Sequence, residues 1–184
     1  MLEEILEEGF TALSLRPDPR AVPRLRQYYE LLEEYSRVMN LTAIHGEADC
    51  ARLHFLDSAA LLSLEELEGK SVVDVGTGAG FPGLVLKILC PSVRLTLVDR
   101  LDKRVQFLRT TCEALGLEDV VCLHLILLVV LRTRASVSLS SSPIRANVTF
   151  RQFFSQNKTY STFFKNKGLK EKRPSWSTSF SPLA

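Results

Sequence analysis

Ser71-Val-Val-Asp-Val-Gly-Thr-Gly-Ala-Gly-Phe-Pro-Gly83 is the stretch on which the fold turns. A short β-branched run, Ser71–Val75, reads as a strand. It gives way at once to glycines on alternate positions, Gly76, Gly78 and Gly80. Pro82 then suits the first turn of a helix. Glycines permit a tight turn and close approach of a ligand to the backbone, and the helix start offers free N–H groups. A glycine cluster between a strand and a helix carries far more information than the same residues elsewhere.

Working downstream, Leu84, Val85, Ile88 and Leu89 mark a buried helix face, and Pro91 ends that helix. Val93–Asp99 reads as a second strand. Asp102–Leu115 reads as a helix with Val105, Leu108, Cys112 and Leu115 inward and Gly116 as its C-terminal cap. Asp119–Leu123 reads as a third strand. Strand, helix, strand, helix, strand at these spacings is half of a Rossmann unit: a parallel sheet with right-handed crossovers. Upstream, Leu2, Ile5, Leu6, Phe10 and Leu13 have helical spacing, and Arg16-Pro-Asp-Pro-Arg20 breaks the pattern. A second helix from about Ala21–Pro23 carries Leu25, Tyr28, Tyr29, Leu32, Tyr35 and Val38 on one face. A third, from about Glu47 to Leu64, carries a stripe of Leu53, Leu56, Ala60 and Leu61. The expected organisation is an N-terminal helical segment over residues 1–68, the first half of an α/β domain over 69–124, and a different kind of sequence over 125–184.

Three ligand readings compete at the glycine turn. A phosphate-binding P-loop would run from Gly78 to Gly83, but Leu84 stands where a lysine is required. A dinucleotide fingerprint needs a third glycine at the position of Phe81. The G-x-G-x-G pattern suits S-adenosylmethionine better, since that cofactor has no pyrophosphate. Asp99 closes the second strand, and a carboxylate there can accept both ribose hydroxyls. Nicotinamide enzymes use the same position, so a dinucleotide and a purely structural glycine turn both stay open on these residues alone. Asp74, Gly76, Thr77, Gly78, Gly80, Phe81 and Asp99 are the candidate cofactor contacts; Thr77 reads as a turn hydroxyl, not a catalytic group.

The whole chain of 184 residues carries a net charge of +2, which conceals a divide. Residues 1–124 hold 13 Lys+Arg against 20 Asp+Glu, whereas residues 125–184 hold 10 against the single acid Glu171. Serine follows the same divide, 6 before the seam and 11 after it. The four cysteines, at 50, 90, 112 and 122, have no C-x-x-C pair and no zinc spacing, so no metal is expected and reduced thiols in a cytoplasmic protein are the reading. The N-terminus lacks a signal-peptide pattern, and the most apolar run, Leu125–Leu131, is far short of a bilayer span.

Taken together, Asn40-Leu-Thr-Ala-Ile44, His54-Phe-Leu-Asp-Ser58, Val72–Gly83 and Leu97-Val-Asp-Arg-Leu-Asp-Lys-Arg104 closely resemble motifs of the bacterial small-subunit ribosomal RNA methyltransferase G family, also called glucose-inhibited division protein B. The resemblance covers residues 1–124. It implies a class I methyltransferase fold, S-adenosylmethionine as cofactor, 16S ribosomal RNA or the small ribosomal subunit as partner, and N7 of one guanine as methyl acceptor. A monomer is the expected state. By position, Gly76 and Phe81 are implied cofactor contacts. Guanine N7 carries a lone pair and no proton, so no general base is needed and no catalytic residue is assigned; rate comes from alignment in a dry site on an accessible base. His54 and Asp57, three apart on one helix, are candidates for positioning substrate or bracing the turn, against the alternative of a plain surface pair. Asn40 is a candidate for the substrate side or a cap of the following turn. Lys103 and Arg104 read as a solvated face, with RNA phosphate as the other possibility.

Beyond His124 the expected continuation of the family is not legible. Leu125–Leu131, a Ser-rich stretch and a basic segment from Lys158 to Arg173 follow instead. A frameshifted or replaced C-terminus, with the second half of the sheet missing or replaced, is the expectation. Strand one would then be an exposed edge. Ala146–Phe154 is a candidate substitute strand, and the basic aromatic tail is a candidate RNA contact or an unselected sequence. Two further readings follow: a non-catalytic product with at most weak cofactor or RNA binding, and a methyltransferase acting on another substrate.

Overall fold

The computed structural model describes residues 1–124. The readings made for residues 125–184, including the tail and its candidate strand, lie outside the described residues.

Helix α1, Leu2–Ala12, buries Leu2, Leu6 and Phe10 at four-residue spacing and leaves its glutamates outward. Helix α2, Ala21–Met39, takes Pro23 in its first turn and buries Ala21, Leu25, Tyr28, Leu32 and Ser36. Val38, expected on that face, is 79% exposed. A helix advances 100° per residue, and the stripe through Leu32 and Ser36 leaves position 38 on the far side. Asn40 ends α2 in the left-handed region, at φ 47°, which asparagine tolerates better than most residues.

Helix α3 changes its winding along its length. It begins as Glu47–Cys50, widens into a π-helical turn over Ala51–Leu56, returns to α over Asp57–Ala59 and tightens to a 3-10 turn over Ala60–Ser63. The inward face therefore runs through Ala51, Phe55 and Ala59 to the expected Ala60 and Leu61, whereas Leu53 is 38% exposed. The expected Leu53–Leu56 stripe assumed a constant period of 3.6, and the π turn breaks that assumption. One guanidinium ties the three helices together. Arg26 of α2 donates Nε and Nη2 to Glu3 of α1 (2.6 and 2.7 Å) and Nη1 to Glu47 of α3 (2.6 Å). The fork geometry suits carboxylates and pulls the Glu3 carboxyl down to about 2.

Strand β1 is Ser71–Val75, β2 Arg94–Asp99 and β3 Val120–His124. Among the described residues they form one parallel sheet in the order β1-β2-β3, with Val73 opposite Thr96 and Leu97 opposite Cys122. Helix α4, Gly83–Leu89, connects β1 to β2, and α5, Asp102–Ala114, connects β2 to β3. Both crossovers step in the same direction, so right-handedness puts α4 and α5 on one face of the sheet. Val105, Leu108, Cys112 and Leu115 all point inward from α5 and its cap, as their spacing requires. Helix α2 packs against both α4 and α5, so the N-terminal helices form a layer over the crossover helices. This α/β architecture, an open parallel sheet with an N-terminal helical segment, is that of a methyltransferase fold. Its layering brings α2 and α3 to the end of β1, where the glycine turn lies.

Candidate functional site

The turn after β1 is braced from beneath. Asp74, 4% exposed, accepts at Oδ2 from the Thr77 hydroxyl (2.7 Å) and from the Gly83 N–H (3.0 Å). It thus joins the end of β1, the turn and the first residue of α4 through one carboxylate. Gly83 permits this closeness, since a Cβ there would stand 2.5 Å from Leu97 Cδ2 and 2.9 Å from Asp74 Oδ2. Above the brace, the N–H groups of Gly76 and Thr77 donate to the Val98 carbonyl at 2.7 and 3.2 Å, which fastens the turn to the end of β2. Gly80, at φ +105°, leaves no room for a side chain: a Cβ would meet Leu84 and the Tyr28 hydroxyl. Gly78 is the opposite case, with positive φ and open space where a Cβ would project.

Asp99 lies against this turn. Its Oδ2 accepts from the Gly78 N–H at 2.9 Å and its Oδ1 from the Leu101 N–H at 2.9 Å. Arg104 Nη1 stands 3.7 Å from Oδ2. Asp74, Thr77, Gly78 and Asp99 are thereby brought into one cluster, with Asp74 and Thr77 on its inner side and Gly76 exposed.

Phe81 sits at the other flank, inside a stack of rings from the N-terminal helices. The His54 imidazole lies 4.2 Å from it at an interplanar angle of 5°. Tyr28 lies 5.3 Å from Phe81 at 26°, and Phe55 lies 5.6 Å from Tyr28. His54 Nε2 is 2.8 Å from the Thr42 hydroxyl, which in turn accepts the Ile44 N–H at 3.0 Å. Burial pushes the His54 pKa down to about 4, so the ring is neutral near pH 7. Asp57 follows His54 on α3, half-buried, and Asn40 is exposed at the end of α2.

Two residues of this arrangement escape a reading of the sequence. Tyr28 lies on an apolar helical stripe and reads as core, yet its hydroxyl donates to the Ala79 carbonyl at 2.6 Å. Thr42 lies within the Asn40–Ile44 motif, but nothing local signals its contact with His54. Among the described residues, no group of three or more His, Cys, Asp or Glu side chains could hold a metal, and no helix is long and apolar enough to cross a membrane.

Comparison of the sequence with known proteins points to one family. The family model described as rRNA small subunit methyltransferase G matches residues 21–136. A protein named ribosomal RNA small subunit methyltransferase G from Alkaliphilus metalliredigens is 45% identical over 121 residues, 65% of this chain and 51% of the relative. Its namesake from Pelotomaculum thermopropionicum is 45% identical over 119 residues, 64% of this chain and 50% of the relative. Another, from Staphylococcus epidermidis, is 40% identical over 123 residues, 66% of this chain and 49% of the relative. The chain spans about half the length of the curated relatives it matches. With the matched window running through the glycine turn, Asp99 and the His54–Phe81 stack, the chain belongs to the rRNA small subunit methyltransferase G family.

Proposed function

We propose that this chain takes up S-adenosylmethionine at the glycine turn and serves methyl transfer to N7 of a guanine in 16S ribosomal RNA. The observation that carries the reading is the contact of Asp99 Oδ2 with the Gly78 N–H, which sets the acid closing β2 directly beside the open glycine. Asp99 is buried, with one N–H on each oxygen and Arg104 beside Oδ2, so each oxygen keeps one further acceptor position that a ribose hydroxyl would reach from the side of the open Gly78. The open space at Gly78 gives a nucleoside room to approach the backbone. These features fit a nucleoside donor with a free ribose. The names of the relatives support ribosomal RNA as acceptor.

When bound, S-adenosylmethionine supplies an electrophilic methyl group on a sulfonium. The residues of the chain bind and orient. Asp99 holds the sugar, the turn from Gly76 to Gly80 holds the remainder of the donor by backbone contact, and Asp74 with Thr77 keeps that turn rigid. His54 is assigned to the acceptor side, with Asp57 and Asn40 as its companions there. One face of the neutral His54 ring is taken by Phe81, so a base unstacked from the RNA would meet only its other face or its edge. None of these residues has to remove a proton, since N7 carries none.

The test is a calorimetric titration of the full chain with S-adenosylmethionine, followed by transfer of labelled methyl to small ribosomal subunits and to bare 16S RNA. Micromolar uptake with label at guanine N7 is the expected result. Uptake with label on another acceptor would retain the donor site and replace the substrate. No heat at high donor concentration would make the chain non-catalytic.

A further inference from the structure

We infer that Tyr28, on the N-terminal helix α2, is a positioning residue for the glycine turn: it fixes the Ala79–Gly80 peptide and the Phe81 ring, and so sets donor affinity from beneath the site. The inference rests on the proposed donor site and adds to it a residue from outside the α/β unit. Tyr28 is fully buried, so no ligand can reach it. Any effect it has on binding must pass through its neighbours.

Those neighbours are the turn itself. A buried hydroxyl is costly unless it finds a partner, and a phenylalanine would fill the same space without that liability. The partner described for this hydroxyl is the Ala79 carbonyl, 51 residues away in sequence, at 2.6 Å. The carbonyl of Ala79 and the N–H of Gly80 share one rigid peptide plane. Holding the carbonyl therefore aims the N–H, which donates to the Thr77 carbonyl at 3.0 Å and closes the turn. Gly80, at φ +105°, has the freedom to let that plane rotate once the hydroxyl is lost. The dependence is mutual, because a Cβ on Gly80 would stand 2.7 Å from the Tyr28 hydroxyl oxygen. The Tyr28 ring adds a second hold through its stack on Phe81 at 5.3 Å. Helix α2 is thus coupled to the turn by one hydrogen bond and one ring contact.

The test is Tyr28→Phe in the full chain, which keeps the ring and deletes the hydroxyl. Amide exchange over residues 76–81 is expected to speed up about tenfold, with β2 amides unchanged, and affinity for S-adenosylhomocysteine to weaken about tenfold. Phe107→Leu, in the core beside Tyr35, serves as a control for general destabilisation and is expected to leave the donor affinity unchanged. Unchanged exchange over the turn in Tyr28→Phe overturns the inference, as does equal weakening in Phe107→Leu. A parent chain that takes up no donor overturns the proposed function instead, and the exchange measurement still decides whether Tyr28 holds the turn.

Discussion

The His54 imidazole lies flat on the Phe81 ring, with centroids 4.2 Å apart and planes within 5° of parallel. The pair joins the π-helical turn of α3 to the residue that follows Gly80. Burial against this ring and its neighbours disfavours the imidazolium, and the pKa falls from 6.5 to about 4.

A pH dependence of folding follows. The folded pKa lies below the unfolded one, so the unfolded chain takes up the His54 proton first as pH falls. The contribution is complete above about pH 6.5 and is lost as pH drops towards 4. Between pH 7 and pH 5 the loss is about 2 kcal/mol. Urea midpoints across this range check it, and His54→Gln is expected to flatten the slope. The carboxylates held by Arg26 and Arg20, Glu3 and Asp18, are lowered to about 2, and their contribution is lost below pH 4, a separate window. An unchanged slope in His54→Gln would show that the proton goes elsewhere.

The brace under the turn makes a second expectation. Asp74→Ala strands the Thr77 hydroxyl and the Gly83 N–H in a buried site, at a cost of about 2–4 kcal/mol. Asp74→Asn retains an acceptor and is expected to recover roughly half of that loss. Chemical denaturation of both variants distinguishes a brace from a dispensable surface acid.

Gly83 is expected to be intolerant for reasons of packing alone. An added Cβ meets Leu97 at 2.5 Å and Asp74 Oδ2 at 2.9 Å, and α4 must move away from β2 to admit it. Gly83→Ala is expected to destabilise by about 1–3 kcal/mol, in spite of the better helix propensity of alanine. A stabilised variant, measured by thermal unfolding, would show that the helix–strand approach is less tight than these contacts imply.

The order of elements from β1 onward was legible because each boundary carries its own chemistry. Gly76, Gly78 and Gly80 bend the chain, Pro91 stops α4 and Gly116 caps α5 at φ +58°. The place of Asp99 was legible because a strand end beside a glycine turn is where an acid can reach that turn, and its carboxylate does meet the Gly78 N–H. The inward face of α3 was legible at Ala60 and Leu61 but not over its first turns, since no local signal announces that the winding loosens at Ala51–Leu56. Tyr28 was missed for a different reason. Its ring obeys the core periodicity of α2, and the partner of its hydroxyl lies on a distant loop that only the packing of α2 over α4 supplies. Lys87 was concealed in the same way. It is a buried ammonium on a helix that is apolar nearly all round, satisfied by the carbonyls of Pro91 and Val93.

Asp99 gives the sharpest test of the donor site. Its two oxygens accept from Gly78 and Leu101, and each is assigned one ribose hydroxyl in addition. Two charge-assisted hydrogen bonds at about 1.5 kcal/mol each make a factor of roughly a hundred in affinity. Asp99→Ala is therefore expected to weaken uptake of S-adenosylmethionine by about a hundredfold, and Asp99→Asn by about tenfold, because the amide accepts through one oxygen and carries no charge. The measurement is calorimetric titration at fixed pH, with thermal unfolding as the check that the turn persists without the Gly78 contact. If Asp99→Ala binds the donor as the parent does while remaining folded, the acid is only a brace for Gly78 and the sugar is held elsewhere.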